Sequence, residues 1–142
     1  MKKLALLFVA TVLVTTTFSS CKKDDEPTAR ELLTSEIWTG VKYKDYDAGS
    51  GTTVEDSMIG YDYAFLSNGD AINYINSVPK FLDEWNLTNG GTKLEITYGP
   101  LISISKAPSL PTVFDIISLT ETELIIKQTY DNGDTYTEYY RH

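Results

Sequence analysis

The stretch FLDEWNLTNGGTKLEITY, residues 81–98, decides the fold. Phe81, Trp85 and Leu87 fall in one phase, and Leu94, Ile96 and Tyr98 alternate with Lys93, Glu95 and Thr97. A period of two is the mark of a strand with one buried face. Between the two runs, Asn89-Gly90-Gly91 supplies residues that accept the positive φ of a tight turn. The stretch therefore predicts a β-hairpin with strands over residues 81–88 and 92–98.

The same grammar extends in both directions. Upstream, large residues occupy the odd positions of Ile59-Gly60-Tyr61-Asp62-Tyr63-Ala64-Phe65, Ser67-Asn68-Gly69-Asp70 turns the chain, and residues 71–76 return with Ile72 and Tyr74 on one face. Pro79 is expected to end that strand. A first strand is expected over residues 36–45 through Ile37, Trp38, Val41 and Tyr43, broken by Gly49-Ser50-Gly51, with a loop up to Met58. Downstream, residues 99–111 hold three prolines and read as a long loop, with Ile102 and Ile104 as a short edge strand. Residues 113–119 and 123–130 read as strands, Asp131-Asn132-Gly133-Asp134 as a turn, and residues 135–141 as the closing strand. Ahead of all this, Thr28 and Glu31 make a capping-box pair for a short helix over residues 28–35. The sum is about eight antiparallel strands, an all-β chain that points to an up-and-down barrel or a sandwich.

The first residues carry a different message. Lys2 and Lys3 precede an apolar run from Leu4 to Val14, and Ser19 and Ser20 precede Cys21. That charged, apolar, small-residue order is the pattern of a secretory signal, and the run is too short to cross a bilayer. Phe18-Ser19-Ser20-Cys21 resembles the lipobox of bacterial lipoproteins, which implies cleavage before Cys21 and lipid on its thiol. Lys22-Lys23-Asp24-Asp25-Glu26-Pro27 has the composition of a solvated tether. It also resembles the lysine-then-acidic signal that sends lipoproteins to the outer face in some Gram-negative bacteria. The implied organisation is a signal peptide over residues 1–20, a lipidated tether over 21–30 and a barrel over 31–142. The implied location is the cell envelope, lipid-anchored in the outer membrane and surface-exposed.

A further resemblance covers most of residues 31–142. A short helix is followed by Trp38 and then Tyr63-Ala64-Phe65-Leu66-Ser67-Asn68-Gly69-Asp70. Next come Trp85-Asn86-Leu87, Lys93-Leu94-Glu95-Ile96, and the late Ile116, Leu119, Leu124 and Ile126. The order resembles the lipocalin-like domains of secreted bacterial lipoproteins, although Glu36 stands where the Gly-x-Trp signature of true lipocalins has glycine. The resemblance implies a small up-and-down barrel, often with no known ligand.

The chain carries a formal charge of −8, and removal of Lys2 and Lys3 takes it to −10. Such a chain is a poor partner for phosphate backbones, so nucleic-acid binding is not expected. One cysteine allows no internal disulfide, and the single histidine, His142, is the last residue, a poor place for a precisely held base. These residues do not assemble a nucleophile triad or a zinc site, so an enzyme is not expected, nor a metal or cofactor. Asp83 and Glu84 are adjacent and point to opposite strand faces. Asp62 and Asp115 are the acids that a partner carboxylate could meet in space, against the plainer reading of solvated strand faces. The acids of Asp45-Tyr46-Asp47-Ala48-Gly49 are too few for a calcium loop. Asp56-Ser57-Met58 resembles an O-glycosylation sequon of exported proteins in some Gram-negative bacteria, with Ser57 as the modified residue.

The remaining handle is aromatic. Trp38, Tyr63, Phe65, Tyr74 and Trp85, with Ile96 and Ile126, either line a cavity for a small apolar or amphipathic ligand or fill the barrel as core. Tyr136, Tyr139 and Tyr140 are expected to form a surface patch suited to a protein or glycan. The expected protein is a monomeric, lipid-anchored binding module. Its alternative is an accessory or adhesion module that works through its outer face. A cavity of about 300 Å³ or more inside the sheet distinguishes the first.

Overall fold

The computed structural model describes residues 26–99 and 110–142. Cys21, most of the tether and the edge strand expected around Ile102 and Ile104 lie outside those residues. The described chain begins with helix α1 (Ala29–Thr34) and continues through β1 (Trp38–Asp47), β2 (Thr52–Ser57), β3 (Tyr61–Phe65), β4 (Asp70–Ile75) and β5 (Val78–Thr88). A 3₁₀ turn (Asn89–Gly91) leads to β6 (Lys93–Thr97), β7 (Thr112–Leu119), β8 (Glu123–Thr129) and β9 (Thr135–Arg141). From β3 to β9 each strand pairs antiparallel with the next, and β9 returns to β1 over seven residue pairs from Thr39↔Arg141 to Tyr46↔Thr135. The sheet is thus an all-β, closed up-and-down barrel.

Nine strands make eight positions around the barrel, because β2 and β3 share one. The start of β1 pairs with β3 at Trp38↔Tyr63 and Thr39↔Asp62. Its remainder pairs with β2 from Lys42↔Ser57 to Asp47↔Thr52. Gly40 sits at the changeover, where a Cβ would collide with the carbonyl oxygens of Tyr61 and Met58. The expected loop before Met58 is therefore largely a strand. All six residues of β2 are exposed, so it carries no apolar alternation to read.

The register shifts between Gly40 and Lys42 against β9. A bulge of this kind adds a residue and swaps which parity faces inward. Trp38 points in before it, and Tyr43 and Asp45 point in after it. A second shift, between Asn73 and Tyr74, accommodates Pro79 in β5, where its missing N–H is tolerated. Pro79 thus lies inside a strand, and the turn before it is made by Asn76 and Ser77, with φ of 51° and 62°. Two positive φ values are the signature of a type I′ hairpin turn. The hairpin turns at Asn68-Gly69 and Asn132-Gly133 repeat one chemistry. Each Asn side-chain oxygen accepts the backbone N–H of the following Asp, at 3.0 Å for Asp70 and 3.1 Å for Asp134.

The two ends of the barrel differ. α1 closes one, which we call the base. Its capping box is complete: Thr28 Oγ1 accepts from Glu31 N and Glu31 Oε2 from Thr28 N. Leu33 is fully buried beneath it, and its carbonyl accepts the Trp38 indole N–H at 3.0 Å. The Trp85 indole donates to the Leu66 carbonyl at 3.0 Å, and the Arg30 guanidinium lies 4.5 Å over the Trp85 ring. Above this floor pack Phe65, Ala71, Leu94, Ile96, Phe114, Leu124 and Ile126, all buried. His142 is not loose. Its ring lies 3.8 Å from that of Trp38 and its Nδ1 is 3.9 Å from Glu36, so the chain end is pinned at the base.

Candidate functional site: the open mouth

Toward the end opposite the base, the inward positions of β1, β3, β4 and β9 turn polar. Tyr43 and Asp45 of β1, Tyr61 and Tyr63 of β3, Asn73 of β4, and Tyr136, Glu138 and Tyr140 of β9 face one cavity. Asp56, Ser57 and Met58 form part of its rim and Tyr98, just after β6, joins the lining. The cavity has a volume of about 630 Å³. Among the described residues, no Lys, Arg or His lines it.

Aromatic contacts run from base to mouth. Trp85 meets Phe65 edge-on at 5.5 Å, Phe65 stacks with Tyr63 at 5.2 Å, and Tyr63 meets Tyr140 edge-on at 6.4 Å. Tyr43 and Tyr136 pair across β1 and β9 at 5.4 Å. Offset and edge-on arrangements suit the ring quadrupoles, so these rings are held in place by one another.

The polar floor of the cavity is set by two acids. Asp83 on β5 is 1% exposed, while its neighbour Glu84 lies on the opposite, exposed face. Asp83 shares the inward parity of Phe81, Trp85 and Leu87. The Tyr63 hydroxyl donates to Asp83 Oδ2, and the backbone N–H of Gly99 donates to Oδ1 at 2.6 Å. A buried carboxylate needs such donors. Gly99 is required there, since a Cβ would overlap the Leu82 carbonyl. Burial, followed by the Asp83 charge, pushes the Tyr63 phenol far above its ordinary pKa, so it stays a donor.

Glu138 is the second acid. Tyr140 donates to its Oε2 at 2.9 Å, and Tyr136 also hydrogen-bonds it. Burial nonetheless raises its pKa above the ordinary carboxylate range, with the two hydroxyls opposing that rise. Tyr98, Tyr136 and Tyr140 are all pushed up, burial first and the Glu138 charge second. The Asn73 side-chain oxygen is buried and has no hydrogen-bond partner among the described residues. A buried acceptor of this kind is uncommon and costly.

Of the residues singled out in the sequence, Trp38, Phe65, Trp85, Ile96 and Ile126 are buried in the core and do not line the cavity. Tyr63 belongs to both. Tyr74 belongs to neither: Ala71 and Asn73 take the inward positions of β4, which leaves Ile72 and Tyr74 on the outer face. The expected tyrosine surface patch is also corrected, because strand alternation turns Tyr136 and Tyr140 inward. Tyr139 alone faces out, with the Lys42 and Lys44 ammonium groups 5.3 and 5.8 Å from its ring. Ser57 ends β2 at the cavity rim, exposed, its hydroxyl oxygen accepting from Ile59 N at 3.2 Å. Asp62 lies on the outer face of β3, and Asp115 pairs with Lys93 at 2.7 Å outside the barrel. Asp47 caps its own turn, accepting from Ser50 N and Gly49 N, and these bonds, Ser50 first, hold its pKa low.

Sequence reading missed Tyr43, Asp45, Tyr61, Asn73, Tyr98 and Glu138 as cavity residues. The signal for some of them was present: Tyr136, Glu138 and Tyr140 recur at a spacing of two, the period of one strand face. No protein-family model matches the chain, and no curated protein sequence matches it.

Proposed function

We propose that the chain is an exported, lipid-anchored protein of the cell envelope whose barrel holds a small ligand at its mouth and catalyses no reaction. The observation that carries this reading is the cavity of about 630 Å³, which falls within the range of roughly 300–1,000 Å³ common to small-molecule sites. Its position adds support. The described chain begins beside α1 at the base, the end of the barrel opposite the mouth. The lining also fits an amphipathic ligand better than a wholly apolar one: Met58 and the tyrosine rings offer apolar surface, and their hydroxyls, Asn73 and the acids offer polar contacts.

Two measurements test this. Native mass spectrometry of the full chain from its producing cell, joined to a fluorescent amphiphile titration, is expected to show one ligand per chain; no uptake across a varied panel overturns the binding reading. Cys21→Ser is expected to abolish palmitate labelling and move the protein out of the membrane fraction with its barrel still folded. Retention in the membrane, with no label on the unsubstituted chain, overturns the lipoprotein reading.

A second reading is an accessory or adhesion module that meets a protein or glycan through its outer face. It draws on β2, which among the described residues pairs with β1 alone and leaves its other edge open. Recovery of a stable partner from solubilised membranes, lost when Val54 is replaced by proline, favours this second reading.

A further inference from the structure

Three features of the cavity point to one ligand chemistry, and they rest on the reading of the mouth as a binding site. The first is charge. Glu138 faces the cavity together with Asp45 and Asp56, and among the described residues no basic side chain lines it to answer them. The second is aromatic surface. Tyr43, Tyr61, Tyr63, Tyr136 and Tyr140 surround the space with rings whose negative faces attract cations. The third is the Asn73 side-chain oxygen, buried against the cavity and lacking a donor among the described residues. A ligand N–H would satisfy it.

We propose that the mouth binds an organic ammonium ion that still carries N–H donors, with Glu138 as its counter-charge, the tyrosine rings as its cage and Asn73 as an acceptor. The geometry argues against a bare metal ion as the occupant. Among the described residues, no three carboxylate, His or Cys side chains converge as metal ligands. The acids are instead spread around aromatic faces, which suits a cation with its own carbon skeleton. A cavity of about 630 Å³ leaves room for an apolar part beside the ammonium group.

The arrangement also makes binding depend on pH. Among the described residues, Glu138 is faced by Tyr43 and Asp45 from β1, Asp56 from β2, Tyr61 and Tyr63 from β3, Tyr98 beyond β6, and Tyr136 and Tyr140 on its own strand, with Asp83 of β5 bonded behind Tyr63. All are acids or phenols, and β4 adds only the neutral Asn73. Because burial favours the neutral acid, Glu138 must lose its proton to serve as counter-charge. Affinity for an ammonium ion is therefore expected to rise with pH through the raised Glu138 titration, as long as the amine stays protonated.

The test is calorimetric titration of the full chain, in neutral detergent, with four probes of similar size: 2-phenylethylammonium, its N,N,N-trimethyl analogue, 2-phenylethanol and phenylacetate. The primary ammonium is expected to bind at least about tenfold more tightly than the alcohol, with phenylacetate weakest. The trimethyl analogue, which keeps the charge and loses the N–H groups, is expected to fall between. Glu138→Gln should remove most of the preference for ammonium over alcohol and flatten the rise from pH 5 to pH 8. Tyr43→Leu should weaken both cations. Equal binding of alcohol and ammonium, tighter binding of phenylacetate, or an unchanged preference in Glu138→Gln that unfolds like the parent overturns the inference and leaves the binding reading standing. Failure of all four probes, together with an empty result from the amphiphile panel, overturns both.

Discussion

The base and the mouth of this barrel are made from the same strands and obey opposite rules. At the base, inward positions are apolar, buried and closed over by α1, and each indole N–H has a backbone acceptor. At the mouth, inward positions are mostly tyrosines and acids, the Asn73 side-chain oxygen lacks a donor among the described residues, and burial works against the charge on Glu138. The base resembles a solved packing problem. The mouth holds polar groups at some cost in stability, which is the usual condition of a site that serves a ligand. The difference teaches that apolar packing and buried polar groups are separated along the barrel axis, with Tyr63, Asp83 and Tyr140 at the boundary.

The strongest way to break this division is at the base. Trp38→Ala removes a fully buried ring that supports Leu33 and His142. Aromatic-to-alanine changes in cores cost about 3–5 kcal/mol. Urea unfolding is expected to show a loss of that order, large enough to leave a domain of this size partly unfolded. A loss below about 1 kcal/mol, the scale of a surface change, sinks the claim that stability resides at the base.

The next effect lies at the boundary. Asp83→Ala leaves the Tyr63 hydroxyl and the Gly99 N–H without their acceptor. Each orphaned buried donor costs about 1–3 kcal/mol. Tyr63→Phe removes one donor and keeps the ring, so it should cost less than Asp83→Ala. In a double-mutant cycle the two changes are expected to couple, because they share one hydrogen bond. Additive losses would place Tyr63 and Asp83 in separate roles.

Much of the base was legible in the sequence and little of the mouth was, for a physical reason. Leu94 and Ile96 alternate strictly with charged residues, and Asn-Gly pairs mark the turns, so the hairpins and the barrel class follow from period and turn chemistry. At the mouth the inner face is polar, so hydrophobic alternation stops reporting which side faces in. Glu138 and Asp83 are then not picked out as inward acids, although their parity matches buried neighbours. Bulges compound this. The shift after Gly40 moves the inward set from Trp38 to Tyr43 and Asp45, and nothing in the residues 38–47 alone announces it. On β4 the larger side chains, Ile72 and Tyr74, lie outside while Ala71 faces the packed core and Asn73 the cavity, so side-chain size points to the wrong face. β2 carries no buried residue at all and was invisible to the same test.

The smallest expected effect has the opposite sign, and it is the sharpest comparison of the two ends. Glu138 has a folded pKa raised above its unfolded value by burial. Below the unfolded pKa the acid is neutral in both states and incurs no penalty. As pH rises through the folded pKa, the folded protein must hold a charge in a desolvated place, and stability falls. Glu138→Gln keeps the shape and the capacity to meet Tyr136 and Tyr140 while removing that charge. It is expected to raise the melting temperature at pH 7 by a few degrees and to reduce the decline between pH 5 and pH 8, with little change at pH 4. At the base, where the buried side chains are mostly apolar, the conservative change Ile126→Val should instead lower the melting temperature by a similar amount at every pH. If Glu138→Gln lowers stability at pH 7 as well, the carboxylate is a structural hydrogen-bond centre like Asp83, and the mouth is organised for its own stability rather than for a ligand.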